Sequence, residues 1–202
     1  MLLELEPPFV VIKPEVSEED YYALEGEDSD WEYLDGRLVM SPASDRHEDL
    51  FSFLLTLVRS VLEERSLGVV RGSRYPMRLD PRWSPEPDLL AVRADRQHLL
   101  SPKYLDGPAD LVIEIASEWD RHFDEREKLP RYLDAQIPEI WLVRPAERRI
   151  DTWQRQGGEY QTASKTSGRL ESSAFPGLWI DAGWLWQTPL PKVLGCLRQV
   201  LE

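Results

Sequence analysis

The sequence predicts a mixed α/β or α+β domain in which a β-sheet is flanked by helices. Three observations predict it: one long segment with apolar residues at helical spacing, several short apolar runs typical of buried strands, and the order helix, strands, helix, strand. No internal repeat, low-complexity tract or long linker divides the 202 residues. We therefore predict one domain over residues 1–202.

The N-terminal part predicts a short helix and a hairpin. In "VSEEDYYALE", Ser17 precedes Asp20 by three residues, which resembles a capping box. "WEYLDGRLVM" alternates around Asp35-Gly36, a strong signal for a two-residue hairpin turn. This region therefore adds an N-terminal helix and a β-hairpin to the fold.

A long amphipathic helix follows. Ser44 is its predicted N-cap, and Gly68 is its predicted end. Its apolar positions fall at three- and four-residue spacing: Leu50, Phe51, Leu54, Leu57, Val58, Val61 and Leu62.

The remaining segments read mainly as strands. "VVRGSRYPMRLD" predicts one or two strands, "DLLAV" another, and "DLVIEIA" and "EIWLVRP" predict strands buried in the sheet. A charged helix is expected at about residues 120–135. "RIDTWQ" and "GEYQTAS" around Gly157-Gly158 predict a hairpin, and the last residues predict a Pro- and Gly-rich section and a short amphipathic helix.

Composition excludes several classes of protein. The chain is 42% hydrophobic and 30% charged, which is ordinary for a globular protein and argues against disorder. No apolar run approaches the roughly 20 residues of a membrane span, and the N-terminus does not resemble a signal peptide, so we expect a cytoplasmic protein. The single cysteine, Cys196, allows no internal disulfide and is expected to be a small, at least half-buried residue.

The formal charge of −13 is unfavourable for a nucleic-acid-binding protein, because phosphates are contacted mainly by Lys and Arg. However, residues 1–30 alone contribute −9 of this charge. A local basic stripe is expected between residues 65 and 82, although a solvated strand face explains it about as well: Arg65, Arg71, Arg74, Arg78 and Arg82.

Two carboxylates interrupt apolar runs. Asp88 heads a strand in "SPEPDLLAV", and Glu114 lies inside the strand "LVIEIAS". A buried carboxylate is costly unless it is paired or bound to a cation, so the two acids are predicted to meet at one end of the sheet. Hard oxygen ligands with waters completing the shell would suit Mg²⁺, which could activate a water and neutralise phosphate charge.

Lys128 is the predicted positive group of this site. It lies four residues after Asp124 in "FDEREKLPRYL", and an ordinary surface ion pair is the alternative interpretation. Pro130 predicts an irregular backbone nearby, which could turn the lysine inward.

Four sequence blocks carry a resemblance to a known family: "YLDGRLVMSPASDRH", "PEPDLLAV", "PADLVIEIASE" and "REKLPRYLDAQIPEIWLV". In order and spacing they resemble the Uma-type restriction endonuclease family, a branch of the PD-(D/E)XK nuclease superfamily. The resemblance runs from about residue 17 to 155. Beyond it, a C-terminal hairpin strand, a loop and a helix are expected over residues 156–202. It implies a restriction-endonuclease-like core and hydrolysis of DNA phosphodiester bonds that depends on Mg²⁺, with Mn²⁺ as a substitute. Asp88 and Glu114 would then be the two metal-binding carboxylates.

The chain departs from the superfamily pattern at Ala116, where the catalytic lysine usually follows the second carboxylate by two residues. The resemblance implies that the lysine has moved to the following helix, at Lys128. Glu32 also matches a family position and is expected to support the site, unless it is an exposed strand residue. His47 would contact a phosphate or a metal-bound water, unless it lies on the helix surface.

Alternatives to a DNA endonuclease remain open. The domain could be a catalytically silent binding or dimerisation module, or it could act on RNA or small nucleotides. A homodimer is expected, and the C-terminal cluster of Trp179, Trp184 and Trp186 would close either a core or the dimer interface. Trp83 and Trp119 flank the two proposed metal-binding segments and are the tryptophans expected to contact substrate.

Overall fold

The computed structural model describes residues 11–24, 31–40, 44–72, 75–116 and 124–202. Four α-helices lie within them: α1 (Glu18–Tyr22), α2 (Asp45–Glu64), α3 (Leu129–Asp134) and α4 (Val193–Leu201). A π-helical turn covers Asp124–Lys128, and 3₁₀ helices cover Ala94–Leu99 and Ala182–Trp186. The strands are β1 (Val11–Lys13), β2 (Glu32–Leu34), β3 (Arg37–Met40), β4 (Gly68–Gly72), β5 (Met77–Arg78), β6 (Trp83–Ser84), β7 (Leu89–Arg93), β8 (Leu105–Asp106), β9 (Leu111–Ile115), β10 (Glu139–Arg144), β11 (Arg149–Gln156), β12 (Glu159–Lys165), β13 (Arg169–Glu171) and β14 (Trp179–Asp181).

The central sheet is mixed and has six strands in the order β12-β11-β10-β9-β7-β4. β9 and β10 are parallel, and the other neighbours are antiparallel. Residues Leu111, Ile113 and Ile115 of β9 pack with α2 in one core cluster, whereas Val112 packs with α3 in a second cluster on the opposite face. Helices therefore cover both faces, and the predicted mixed sheet flanked by helices is confirmed.

The predicted N-terminal hairpin is present. β2 and β3 are antiparallel, and both turn residues, Asp35 and Gly36, have positive φ angles of 51° and 73°. This is the conformation that makes Asp-Gly a preferred hairpin turn. β2 also pairs with β6 in a separate four-stranded sheet, which places the hairpin beside the segment leading to Asp88.

The end of α2 differs from the prediction. The helix ends at Glu64, and Ser66 takes the left-handed conformation with φ 53°, so Gly68 does not end the helix but begins β4. A Cβ at Gly68 would lie 2.2 Å from the carbonyl oxygen of Val92. Close packing of β4 against β7 therefore requires glycine at this position. The periodicity of the preceding helix could not predict this requirement.

The C-terminal section is more regular than predicted, because it contains the two-stranded β13–β14 sheet. Its buried side chains belong to the same core cluster as α2, so this apolar section closes the core: Phe175, Leu178, Ile180, Trp184, Leu185, Cys196 and Val200. Arg65 fastens it further by donating to the carbonyl oxygens of Gly177 (3.0 Å) and Val200 (2.8 Å). Cys196 is buried, as expected. Among the described residues, no helix is long and apolar enough to span a bilayer.

The fully buried carboxylate of Glu139, the first residue of β10, joins the sheet to the C-terminal section. It accepts hydrogen bonds from Trp141 Nε1 (2.8 Å), Gln154 Nε2 (2.9 Å), Ser172 Oγ (2.5 Å) and the Ala174 amide (3.0 Å). These four neutral donors compensate for the loss of water around the carboxylate.

We predict that Glu139→Ala lowers the free energy of unfolding by about 3 kcal/mol or more, because several buried donors lose their acceptor. Urea denaturation followed by circular dichroism measures the change. Glu63→Ala, on the exposed face of α2, is the control and should change stability by less than about 0.5 kcal/mol. Equal stability of the two variants would contradict the role given to Glu139.

Candidate active site

Asp88 and Glu114 lie side by side at one edge of the central sheet. Antiparallel pairing of Leu89 with Ile113 brings the start of β7 next to the end of β9. The backbone links the two acids in both directions: the Ile115 amide donates to Asp88 Oδ2 (2.7 Å), and the Asp88 amide donates to Glu114 Oε2 (3.3 Å). The sheet register therefore holds both carboxylates in one place.

Lys128 reaches this pair from the π-helical turn. Its Nζ lies 2.9 Å from Glu114 Oε1 and donates to Glu32 Oε1 and Oε2 at 3.3 and 3.2 Å. The side chain is buried, so Lys128 is not a surface residue. Pro130 has no amide hydrogen for a regular helical bond, and it lies just after the change from the π-helical turn to α3.

Two ion pairs hold the π-helical turn in place. Arg37 of β3 donates to Glu127 at 2.5 Å, and the buried Arg144 at the end of β10 donates to Glu125. These contacts attach the turn both to the N-terminal hairpin and to the central sheet. Because both pairs lie within three residues of Lys128, they limit the directions in which its side chain can point.

Glu32 lies in the site and is largely buried, so it is not an exposed strand residue. β2 presents its carboxylate to Lys128, and Oε2 also accepts a hydrogen bond of 3.0 Å from the amide of Glu86. Glu86 in turn accepts a bond of 2.7 Å from the hydroxyl of Tyr21 in α1. The N-terminal hairpin and α1 are therefore connected to the site through carboxylates.

His47, in the first turn of α2, contacts Asp88. Ser44 caps the helix by accepting from the His47 amide (3.2 Å), and the ring Nε2 lies 3.1 Å from Asp88 Oδ1. Burial alone would lower the pKa of His47, but the hydrogen bond and negative charge of Asp88 outweigh it and raise this pKa to about 9. At neutral pH, His47 is therefore an imidazolium ion paired with Asp88.

Tyr132 is a site residue that the sequence interpretation missed. Its fully buried hydroxyl donates to Glu114 Oε1 at 2.7 Å, the same oxygen that Lys128 contacts. Burial and then the charge of Glu114 raise the pKa of Tyr132 well above its usual value, so the hydroxyl remains a donor. The sequence feature that could have predicted this role is the spacing of four residues between Lys128 and Tyr132, which places both side chains on one side of the segment.

The charge balance of the site favours a cation. Burial, as the largest cause, raises the pKa of Glu114; the ammonium of Lys128 opposes this shift and the charge of Asp88 adds to it. Four carboxylates, those of Glu32, Glu48, Asp88 and Glu114, face the two cationic groups of Lys128 and His47.

The donor set fits a hard divalent ion with few protein ligands. Asp88 and Glu114 supply carboxylate oxygens, and from the described part of the chain Oε2 of Glu114 accepts the long hydrogen bond of the Asp88 amide (3.3 Å). Among the residues that the structure describes, no three His, Cys, Asp or Glu side chains form a metal cage. Mg²⁺ is typically bound by one or two carboxylates, with waters and substrate phosphates as its other ligands.

Other sequence candidates lie elsewhere. Trp83 is buried, and the guanidinium of Arg131 stacks 4.7 Å from its ring centroid, so Trp83 is a core residue. Among the described members of the expected basic stripe, Arg78 pairs with Glu18 and Arg82 with Asp35, while Arg65 binds backbone carbonyls, so these three guanidinium groups already have acceptors within the chain. Trp119 and Arg74 lie outside the described residues.

Comparisons with known proteins agree with this fold. A solved structure titled a "putative nuclease belonging to DUF820", from Anabaena variabilis ATCC 29413, superposes with a TM-score of 0.70. It is 16% identical in sequence, and the match covers 85% of this chain and 97% of that chain. A comparison with curated proteins gives no significant match.

The family comparison covers most of the sequence. The model of the Uma2 family, described as "Putative restriction endonuclease", matches residues 18–183. This range includes Glu32, His47, Asp88, Glu114 and Lys128. With the mixed sheet and the structural similarity, the match confirms the restriction-endonuclease-like fold class. The chain therefore belongs to the Uma2 family of restriction-endonuclease-like proteins.

Proposed function

We propose that this protein is a metal-dependent endonuclease that hydrolyses phosphodiester bonds in DNA. The observation that carries the proposal is the cluster of the half-buried Asp88 with the buried Glu114 and Lys128 at one edge of the sheet. Membership of the Uma2 family and similarity to a structure described as a nuclease support this class of chemistry.

Asp88 and Glu114 would hold Mg²⁺, or Mn²⁺ in its place. When bound, such an ion activates a water molecule and neutralises charge on the scissile phosphate. The two carboxylates are already fixed by backbone hydrogen bonds, so little rearrangement is needed to receive it.

Lys128 supplies the positive charge that the superfamily pattern places two residues after the second carboxylate. Residues 114 and 116 of an extended strand point to the same side, but Ala116 has no amine. Lys128 reaches the same carboxylate from the π-helical turn, at 2.9 Å. In this position it can orient the attacking water and stabilise charge that develops on the phosphate.

The remaining side chains position the reacting groups. Glu32 binds the ammonium of Lys128, and Tyr132 fixes Oε1 of Glu114, which leaves Oε2 facing Asp88. The imidazolium of His47 balances the charge of Asp88 and provides a cationic donor for a substrate phosphate. We further propose that the protein acts in the cytoplasm as a homodimer, because cutting both strands of a duplex usually requires two sites related by two-fold symmetry.

A phosphodiesterase acting on RNA or small nucleotides is a second candidate. It is favoured by the net charge of −13, because binding to duplex DNA depends strongly on Lys and Arg contacts to phosphates. Cleavage of single-stranded RNA with no cleavage of plasmid DNA, under the same metal conditions, would favour this candidate.

We expect wild-type protein with Mg²⁺ or Mn²⁺ to nick plasmid DNA, and Asp88→Asn, Glu114→Gln and Lys128→Met each to reduce the rate about 100-fold or more, because each removes a charge that acts on the reacting phosphate. Gel analysis of supercoiled plasmid measures the rates. Asp106→Asn, at an exposed aspartate on β8, is the matched control and should cleave like wild type. Equal background nicking by all variants would exclude catalysis by this site.

Mn²⁺ binding provides a test that does not depend on cleavage. Calorimetric titration should show binding to wild type and its loss in Asp88→Asn and Glu114→Gln. Tyr132→Phe should weaken binding about tenfold, because the hydroxyl that orients the ligand Glu114 is lost. Tyr75→Phe removes a hydroxyl bonded to the carbonyl of Ser101 (2.7 Å) and should have no effect on affinity. A wild-type protein that binds no Mn²⁺ would contradict the proposed function.

In metal-free protein, we expect His47 to titrate with a pKa of about 9, and this pKa to fall in Asp88→Asn. Because the folded-state pKa is raised, the stability contributed by the pair is complete below the unfolded value of roughly 6.5 and is lost as the pH rises through about 9. NMR titration of the imidazole resonances measures the pKa. His98, which contacts the carbonyl of Asp95, serves as the internal control. An unchanged pKa of His47 in Asp88→Asn would refute the ion pair.

A further inference from the structure

β12 is the last strand of the central sheet, and one of its edges is open. It pairs with β11 over seven consecutive positions, from Glu159 to Lys165, without a bulge. Within the described part of the chain, no other strand pairs with it. Every residue of the strand is exposed or half-buried, so its outer edge lies in solvent.

An open strand edge presents unpaired amide and carbonyl groups that can bind another chain. Proteins usually protect such edges with proline, a bulge, a very short strand or charged side chains on the strand. β12 is seven residues long, its register is regular, it contains no proline, and its two charges lie only at its ends, so its five central residues carry none of these features. The central residues, "YQTAS", include Tyr and Thr, which favour strand structure.

The sequence of β12 is complementary to itself. In an antiparallel pair of two copies centred on Thr162, Glu159 lies opposite the partner's Lys165, and Lys165 lies opposite the partner's Glu159. Thr162 meets the partner's Thr162 on the two-fold axis. Opposite charges and Thr–Thr pairs directly across two strands are both stabilising.

The charges also select one register. A shift of the centre by one residue, to Gln161 or Ala163, leaves Glu159 or Lys165 opposite an uncharged residue. Glu159 and Lys165 form no ion pair with other described residues of their own chain, so both charges remain available to a partner. A second copy of this chain therefore supplies an opposite charge to both Glu159 and Lys165.

We propose that two copies of this protein associate through antiparallel pairing of their β12 strands, with Thr162 on the two-fold axis. The two six-stranded sheets then join into one continuous sheet, and each subunit keeps its own candidate active site. A single strand on each side buries less than the roughly 1,600 Å² of a standard interface, so the dimer is weak and depends on protein concentration. Its formation does not require that the site be catalytic.

Sedimentation equilibrium over a range of protein concentrations tests the proposal by measuring the dissociation constant of the dimer. Lys165→Glu and Glu159→Lys should each weaken the dimer about tenfold, because each turns two attractive pairs into repulsive ones. The double variant Glu159→Lys/Lys165→Glu should restore the affinity, since it exchanges the charges and keeps them complementary. Circular dichroism checks that every variant is folded.

The C-terminal helix supplies the control. Leu194 of α4 is 63% exposed and is the main alternative apolar contact, so Leu194→Asp should leave the β12 dimer unchanged. A dimer that dissociates in Leu194→Asp but not in the β12 variants overturns the proposal, as does a wild-type protein that stays monomeric at every concentration. Failure of the double variant to recover affinity also overturns it. Nuclease activity does not enter these readouts, so a failed cleavage assay leaves this result intact.

Discussion

The buried carboxylate of Glu114 is the group on which the architecture of the site depends. β9 is covered on both faces, and Glu114 is only 4% exposed, so its charge must be compensated from within the protein. Lys128 and Tyr132 donate to one of its oxygens, and the amide of Asp88 donates to the other. The chain must therefore bring β7 and the segment before α3 to the same sheet edge, which explains why the π-helical turn is anchored by Arg37 and Arg144.

Glu114 and Glu139 are two buried carboxylates whose hydrogen-bond partners differ in charge. Both residues lie in the central sheet and both are buried. The bonds of Glu139 come from four neutral donors that connect β10 to the C-terminal section. Glu114 instead has the ammonium group of Lys128 and the carboxylate of Asp88 beside it. The partners of Glu139 are therefore neutral and connect parts of the fold, whereas those of Glu114 are charged, and the proposed function rests on that charge.

The direction of the Lys128 side chain depends on local backbone geometry. An α-helical spacing alone predicted only that Asp124 and Lys128 share a face, and it could not separate a surface lysine from a buried one. The π-helical turn, Pro130 and the two flanking ion pairs decide the direction of the side chain. The site therefore combines carboxylates fixed by strand register with a cation fixed by a helix junction.

Elements with local signals could be predicted from the amino-acid sequence. Apolar periodicity, the Asp35-Gly36 turn and the Ser44 cap predicted the long helix, the hairpin and the strands next to Asp88 and Glu114. The segment around Pro130 suggested Lys128 as the positive group, and the family resemblance added Glu32 and His47 as candidates. Four contacts became visible only in the folded chain: the bond from Tyr132 to Glu114, the ion pair between His47 and Asp88, the network around Glu139 and the close packing that requires Gly68. The physical reason is that turns, caps and periodicity depend on neighbouring residues, whereas each of these contacts joins side chains or backbone that are brought together only when the sheet and helices pack.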